Sequence, residues 1–419
     1  MSVINQVWVF QKTIIILLSI LFLSQSVLAD STTEQKKIEL LEQRLEQMAV
    51  ELEALKRSFK EKEAGENTER ITELETTVED LSEQLGSRAV INAFEAKKLD
   101  IGGFLHSTLT SVSGEDGSAT AFNRQVFELL IKAQLSDNWS AFIAQGFSRQ
   151  SNVLYDDNDD GLFTDSERRN PVFSMSNSTP LIIAWGNYAY SDALNIQFGR
   201  FSTPHGIINI EHFPGTLLDP EQPQFLRPFS GQTIFPNFVD GIHFYGNYFF
   251  EENEDSISYN AYTSQIVSNV EDFVSGFRFA YTNNALNSTI GLNYAQGGRI
   301  ASADSTYNMY GVDLLVEKGH FLWKSEIFKT EEELGEDRLA YYTQPAWHLS
   351  PQFTLFYRYD FLAKGKHLGD SIENTFGLNY KPYSNIRLRG TVTHYHIDRT
   401  QSLNSANSLI YQLSATLSF

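Results

Sequence analysis

The sharpest chemical motif in the sequence is an acidic stretch at residues 156–167, which reads DDNDDGLFTDSE. It fits the calcium-loop pattern D-x-[DN]-x-[DN]-G-x5-E without a departure. Alternate oxygens would wrap a calcium ion, the glycine would permit the sharp turn, and the last glutamate would bind through both oxygens. The predicted ligands are Asp156, Asn158, Asp160 and Glu167, with Gly161 at the turn. The alternative is an acidic surface loop without metal, because no EF-hand helices flank the motif.

Charged and titratable side chains also gather in residues 201–238, which hold six of the eleven prolines. Prolines stiffen a loop at low entropic cost. The candidate site residues of this loop are His205, Glu211, His212 and Arg227, and the alternative is a surface loop that packs against a neighbouring subunit. The candidate site residues on the strands expected to face this loop are Arg200, Arg358, Arg387 and Arg389. Arg387 and Arg389 are two residues apart and share one face of a strand, where they either act on passing ions or form a salt-bridge ladder with Glu373.

The composition excludes several classes of function. The chain has no cysteine, so neither disulfide nor thiolate chemistry is available. A net charge of −20 argues against nucleic-acid binding. Neither a glycine-rich phosphate loop nor an HExxH motif is present, and His394 has no Ser–His–acid pattern around it. The sequence therefore predicts a protein that is not an enzyme.

The first 90 residues read as a targeting segment followed by a helix. Lys12 precedes the apolar run TIIILLSILFLSQSVLA, and Val27–Leu28–Ala29 fits a cleavage site, so residues 1–29 are predicted to be a signal peptide. An uncleaved anchor is the alternative. Residues 30–90 carry apolar residues at alternating steps of three and four, with a break near EAGEN. This spacing predicts a coiled coil, with a single amphipathic helix as the alternative.

Residues 91–419 change to a period of two, which is typical of strands. In the final stretch YQLSATLSF, every second residue counted back from Phe419 is apolar, while most of the residues between are polar. Other strands place Glu, Lys, Arg, Gln and Asn opposite their apolar face, which a soluble core would not accept unpaired. One face of these strands is therefore expected to contact lipid and the other to contact water.

The connections between these strands are expected to alternate between short turns and long loops, among them 113–119 and the glycine-rich stretch 296–304, giving sixteen strands. A transmembrane antiparallel β-barrel of the bacterial outer membrane has an even strand number, short periplasmic turns and long outer loops. The sequence therefore predicts an all-β barrel of about sixteen strands, preceded by an α-helical coiled coil. Both barrel ends would lie on the periplasmic side of a Gram-negative outer membrane, together with the coil.

The whole pattern resembles the Gram-negative outer-membrane porins. The stretch FGRFSTPHGIINIEHF, continued by FPNFVDGIHFYG, is similar to the phosphate-selective porin O/P family, and the coil before the barrel is similar to DcaP-type porins. The resemblance implies a homotrimer in lipid and lipopolysaccharide, a third outer loop folded into the barrel, and a terminal Phe419 read by the barrel-assembly machinery. The predicted lumen lacks the surplus of Lys and Arg expected of a phosphate-selective pore.

The expected function is passive diffusion of small hydrophilic or anionic solutes through a pore. The side chains expected to line or constrict it are Arg200, His205, Glu211, His212, Arg227, Arg358, Arg387 and Arg389. The only cofactor expected is calcium in the acidic loop, and no nucleic acid is expected as a partner. The alternative function is a structural envelope tether, with the barrel as an anchor and the coil as a periplasmic binding arm.

Overall fold

The computed structural model describes residue 50 and residues 99–419, except 152–172, 174, 228–232, 251–253, 267–268, 300–301, 334–335, 364–368 and 401–403. The predicted signal peptide, all of the predicted coiled coil apart from Val50, and the predicted calcium loop lie outside the described residues. The described strands belong to the compact unit Ala96–Phe419. In this described part of the chain, no helix has the length and hydropathy needed to cross a bilayer.

Strands with inward polar and outward apolar side chains dominate the described residues. Their bounds are β1 Leu99–Ser113, β2 Ser118–Gln134, β3 Trp139–Gln150, β4 Ser176–Ser178, β5 Leu181–Ser191, β6 Leu194–Ser202, β7 Phe238–Phe249, β8 Ser256–Ile266, β9 Asn269–Asn283, β10 Ser288–Arg299, β11 Ser302–Lys318, β12 Phe321–Glu332, β13 Arg338–His348, β14 Phe353–Ala363, β15 Ser371–Tyr383, β16 Ile386–Ile397 and β17 Ala406–Ser418. A short 3-10 helix spans Gln224–Leu226.

The sheet closes on itself. Apart from β4, each strand pairs antiparallel with the next along the chain, and β1 pairs with both β2 and β17. Both β4 and β5 pair with β3, so they are two pieces of one wall strand interrupted at residues 179–180. The seventeen segments therefore make sixteen wall strands, which confirms the predicted antiparallel barrel.

The two faces of the last strand show why the chain folds this way. The outward side chains of Leu413 and Phe419 are each 64% exposed, whereas the inward side chains of Gln412 and Thr416 are 4% and 1% exposed. This pattern is the inverse of a soluble protein, because the apolar set lies on the outside and the polar set is buried. An outward apolar band around a polar interior is the arrangement of transmembrane barrels.

Most connections follow the predicted alternation, with seven turns at one end of the barrel. These turns occupy residues 135–138, 192–193, 250–255, 284–287, 319–320, 349–352 and 384–385. At the other end, the prediction of long loops is wrong in three places, because only two residues separate Ile266 from Asn269 and Arg299 from Ser302, and only four separate Ser113 from Ser118. The glycine-rich stretch at 296–299 continues the β10–β11 ladder instead of forming a loop.

Candidate functional site

We call the connection between β6 and β7, residues 203–237, the lumen loop, because its described residues, 203–227 and 233–237, lie inside the barrel. Its apolar side chains Phe225, Leu226 and Phe235 have no exposed surface. They pack on inward side chains of the wall, with ring centroids of Phe225 and Phe235 at 5.4 and 5.2 Å from that of Phe328 on β12. This buried apolar contact fixes the loop against one side of the lumen.

Glu326 on β12 holds the first turn of the lumen loop. Its Oε1 accepts hydrogen bonds from the backbone N–H groups of Ile207 and Ile208, at 2.8 and 2.9 Å. The hydroxyl of Tyr342 donates to the same oxygen at 2.8 Å. Gly206 adopts φ +68°, and a Cβ at that position would collide with the Glu326 carboxylate. The turn therefore requires glycine both for its backbone conformation and for its closeness to the wall.

His205 extends this attachment toward β8 and β10. Its Nε2 lies 2.9 Å from the hydroxyl of Tyr262, and its Nδ1 lies 3.4 Å from Oδ1 of Asn293. Asn293 donates in turn to Asp313 at 2.7 Å, and Asp313 pairs with Arg278. Burial lowers the pKa of His205 to about 3, so the imidazole is neutral at physiological pH.

Ion pairs hold the middle of the lumen loop. Asp219 pairs with Arg358 at 2.8 Å, and Arg227 binds both carboxylate oxygens of Glu373 at 2.6 and 2.7 Å. Arg358 lies 3.9 Å from Glu373, so the two pairs form one network. Burial raises the pKa of Asp219, and the Arg358 guanidinium opposes that change. These carboxylates and guanidinium groups compensate one another in a region of low exposure.

A second set of arginines binds the lumen loop through its backbone. Arg387 donates to the carbonyl oxygens of Thr216 and Leu217 at 2.9 and 2.8 Å. Arg389 donates to the carbonyl oxygens of Leu217 and Pro214. These contacts place both arginines opposite the loop, whereas Glu373, their alternative partner in the sequence analysis, binds Arg227 instead.

Glu211 and His212 occupy the segment before these carbonyls. Glu211 pairs with Lys324 of β12. The Nδ1 of His212 lies 3.0 Å from the carbonyl of Asn209, and its ring lies 5.2 Å from that of Phe238. Burial lowers the pKa of His212 to about 4, so this imidazole is also neutral at physiological pH.

Arg200 lies at the end of β6, where the lumen loop begins. Its Nη1 is 3.1 Å from Asp240, and its Nε donates to the carbonyl of Ile182 at 3.2 Å. The guanidinium also lies 5.9 Å from the ring centroid of Phe238. Arg200 therefore joins β5, β6 and β7 where the wall meets the loop.

The lumen loop leaves a cavity of about 390 Å³ that is lined by residues of β1 to β7 and β14 to β17. Four of the predicted site residues line it, namely Arg200, His212, Arg227 and Arg358. The other four, His205, Glu211, Arg387 and Arg389, attach the loop to the wall. Arg124 and Glu128 on β2 also line the cavity but are absent from the predicted site. The period of two that places Glu128 on the polar face extends to Arg124, so the signal was present in the sequence.

The predicted calcium ligands Asp156, Asn158, Asp160 and Glu167 lie outside the described residues, so the calcium site stays a prediction. Among the residues that the structure does describe, no group of three or more His, Asp and Glu side chains is placed to hold a metal ion.

Comparison with known proteins shows the fold alone. No family model and no curated protein matches the sequence. Among solved structures, the chain is similar to an anion-selective porin from Comamonas acidovorans, with a TM-score of 0.52 at 9% identity, covering 77% of this chain and 99% of that chain. It is also similar to Salmonella typhi OmpF in complex with daunomycin, with a TM-score of 0.50 at 11% identity, covering 77% and 97%. The barrel therefore has the fold of outer-membrane porins.

Proposed function

We propose that this protein is a passive diffusion channel for small hydrophilic solutes in a Gram-negative outer membrane. The observation that carries the proposal is the lumen loop, which fills one side of the barrel and leaves a polar-edged cavity of about 390 Å³ on the other. An anchor function does not require a loop that is bound to the inner wall of the barrel by several ion pairs. The shared fold with porins supports the same conclusion.

The charges around the cavity favour weak ionic selectivity. Its lining includes Arg124, Arg200 and Arg227, and also Glu128 and Glu373. Arg227 and Glu373 neutralise each other. We therefore expect neutral solutes and ions of both signs to pass, rather than phosphate or other anions alone.

Liposome swelling tests this function directly. Vesicles that contain the purified protein are diluted into isosmotic solutions of arabinose, glucose, sucrose and raffinose. We expect swelling rates that fall with solute size, because the loop narrows the path. Vesicles with protein that never swell, even in arabinose, would favour the structural tether instead. A lipase assay on the same preparation tests for an unexpected enzyme.

Assembly and surroundings complete the proposal. We propose a homotrimer surrounded by lipid and lipopolysaccharide, inserted by the barrel-assembly machinery, with a coiled coil of residues 30–90 in the periplasm. Support comes from the porin fold and from the heptad spacing of that segment. Deletion of residues 34–86 should leave a folded barrel, since the described strands that close it all lie between Leu99 and Ser418. Sedimentation of the full chain and of this truncation in detergent measures both oligomeric states.

Calcium binding in the outer loop at 156–167 is a separate proposal, supported by the sequence motif alone. Glu167→Gln should weaken binding, because it removes one charge and the bidentate ligand. Calorimetry at millimolar calcium suits the ~10⁻⁴–10⁻³ M affinity of extracellular sites. Absence of binding by the wild type would reduce the motif to coincidence.

A further inference from the structure

Two oppositely charged side chains of β2 line the cavity and each has a buried atom without a partner. Nε of Arg124 and Oε1 of Glu128 are both buried and make no hydrogen bond. Arg124 donates only through Nη1, to the carbonyl of Pro220 at 3.1 Å. Glu128 is 4% exposed. A buried polar atom without a partner costs free energy. Both groups therefore favour a ligand that offers a hydrogen-bond acceptor to Arg124 Nε and a hydrogen-bond donor to Glu128 Oε1.

The two groups lie on the same inner face of one strand. They are four residues apart, and the buried side chain of Val126 lies between them. Residues at this spacing have Cα atoms roughly 13 Å apart along a strand. The opposite strand β3 presents Gln150 beside Arg124 and Gly146 beside Glu128. The space over Gly146 is filled by Ile182, whose Cδ1 would lie 2.9 Å from a Cβ at that position, so an apolar side chain borders Glu128 there.

The surface between and around the two charges is largely apolar. Phe104, Ile182, Phe238 and Ile410 all line the cavity. A wall of this kind favours the apolar part of a solute, while a few placed polar groups fix its orientation. A sugar would leave hydroxyl groups against this surface without partners, and an inorganic ion would not use it.

We propose that the cavity is a binding site for zwitterionic solutes with an apolar side chain, of the size of an amino acid or a dipeptide. The ammonium group binds Glu128, the carboxylate binds the free edge of the Arg124 guanidinium, and the side chain lies on the apolar wall. A planar guanidinium edge matches a carboxylate with two parallel hydrogen bonds. This inference rests on the proposed function and names a preferred substrate class for the channel.

The test is blockage of the KCl current in planar bilayers by four probes that differ in one feature each. L-Leucine carries both charges and the apolar side chain, 4-methylpentanoate lacks the ammonium group, isoamylamine lacks the carboxylate, and glycine lacks the side chain. We expect half-blockage by leucine at a concentration about tenfold lower than for any other probe, because each charged group adds a charge-assisted hydrogen bond. Equal half-blocking concentrations for all four probes overturn the proposal.

Substitutions of Glu128 and Arg124 test which charged group of the solute each residue binds. Glu128→Gln should raise the half-blocking concentration of leucine and isoamylamine about tenfold and leave that of 4-methylpentanoate unchanged. Arg124→Gln should raise the half-blocking concentration of leucine and 4-methylpentanoate about tenfold and leave that of isoamylamine unchanged. Lys132→Gln is the matched control, since Lys132 shares the inner face of β2 but does not line the cavity. Because Arg124 also binds the lumen loop, Glu128→Gln carries the decision, and an unchanged leucine affinity in that variant overturns the site.

The bilayer measurements distinguish an incorrect binding site from an incorrect channel function. Normal KCl conductance without preferential blockage by leucine overturns the site and leaves the diffusion channel intact. Absence of KCl conductance overturns the channel, and leucine calorimetry on the protein in detergent then tests the site by itself. A lack of measurable heat at millimolar leucine overturns the site in that case.

Discussion

Both carboxylate oxygens of Glu373 on the barrel wall accept hydrogen bonds from the Arg227 guanidinium of the lumen loop, at 2.6 and 2.7 Å. The two residues are 146 positions apart in the chain. The side chains are 14% and 2% exposed, so water cannot easily replace either partner. This bidentate pair holds the end of the loop that borders the cavity.

Removing one member of that pair should release the lumen loop. Arg227→Gln removes both short hydrogen bonds from the buried Glu373 carboxylate and leaves Arg358 at the longer distance of 3.9 Å. Breaking a buried pair in this way costs about 3–5 kcal/mol. We expect more frequent current fluctuations and a lower temperature of barrel unfolding in detergent. The double variant Glu373→Gln, Arg227→Gln should recover part of the lost unfolding temperature. If the single-channel noise of Arg227→Gln equals that of the wild type, the pair does not restrain the loop.

The arginines of β16 should act on the loop more than on the ions that pass. Arg389 is 3% exposed, and both Arg387 and Arg389 donate to loop carbonyls. Replacing both with Gln should increase conductance fluctuations, because the segment 214–217 loses its donors. The shift of reversal potential toward cations in a KCl gradient should be small. A large cation shift with unchanged noise would mean that both arginines face the open path.

Sequence periodicity predicted the barrel because every wall strand must separate lipid from water with a period of two. The same rule placed Arg358, Arg387 and Arg389 on the inner face. It could not tell which inner residues face the open path, because that depends on where the loop lies inside the barrel. His205 shows the difficulty: proline content and titratable groups marked its loop, but only the fold places it between Tyr262 and Asn293.

Loop length was a less reliable signal than strand period. The stretch 296–304 contains Gly297, Gly298 and several small polar residues, which are typical of loops. In the barrel, Gly297 pairs with Tyr307 and Gly298 with Thr306. Backbone pairing with a neighbouring strand outweighs weak local propensity here, and the sequence of one strand does not reveal how far its partner extends.

Acid should weaken the attachment of the lumen loop through His205. The pKa of this residue is about 3 in the folded protein because of burial, against about 6.5 in an unfolded chain. Between these values the unfolded state binds more protons, so His205 lowers the free energy of unfolding as pH falls from about 6.5 toward 3. His205→Gln should therefore reduce the difference in unfolding temperature between pH 7 and pH 4.5.

The control for this pH effect is His320→Gln, since His320 is exposed in the turn 319–320. Other groups around His205, including Asp313 and Arg278, are unchanged in both variants. If the unfolding temperature falls by the same amount between pH 7 and pH 4.5 in His205→Gln and in the wild type, the buried imidazole does not cause the acid sensitivity.

The C-terminal residue completes the closure of the barrel. Phe419 N–H donates to the carbonyl of Gly103 at 3.0 Å, and Gly103 N–H donates back at 3.1 Å. The Phe419 ring lies 6.1 Å from that of Phe127. A Cβ at Gly103 would lie 2.3 Å from the carbonyl oxygen of Glu128 and 2.7 Å from Cζ of Phe419. Deletion of Phe419 and the separate change Gly103→Val should both lower the yield of heat-modifiable barrel on gels. Val392→Ala, on the outer face of β16, is the control, and equal yields of all three variants would show that this closure is dispensable.

We expect solutes to cross the barrel through the cavity beside the lumen loop. The chain has no cysteine, so a single introduced thiol can be modified alone. Ser148 lines the cavity, whereas Ala141 lies on the outer face of the same strand. The measurement is single-channel KCl conductance of Ser148→Cys before and after addition of an anionic methanethiosulfonate reagent. We predict a stepwise fall in conductance, with no change for Ala141→Cys, and an unchanged current in modified Ser148→Cys would contradict the account.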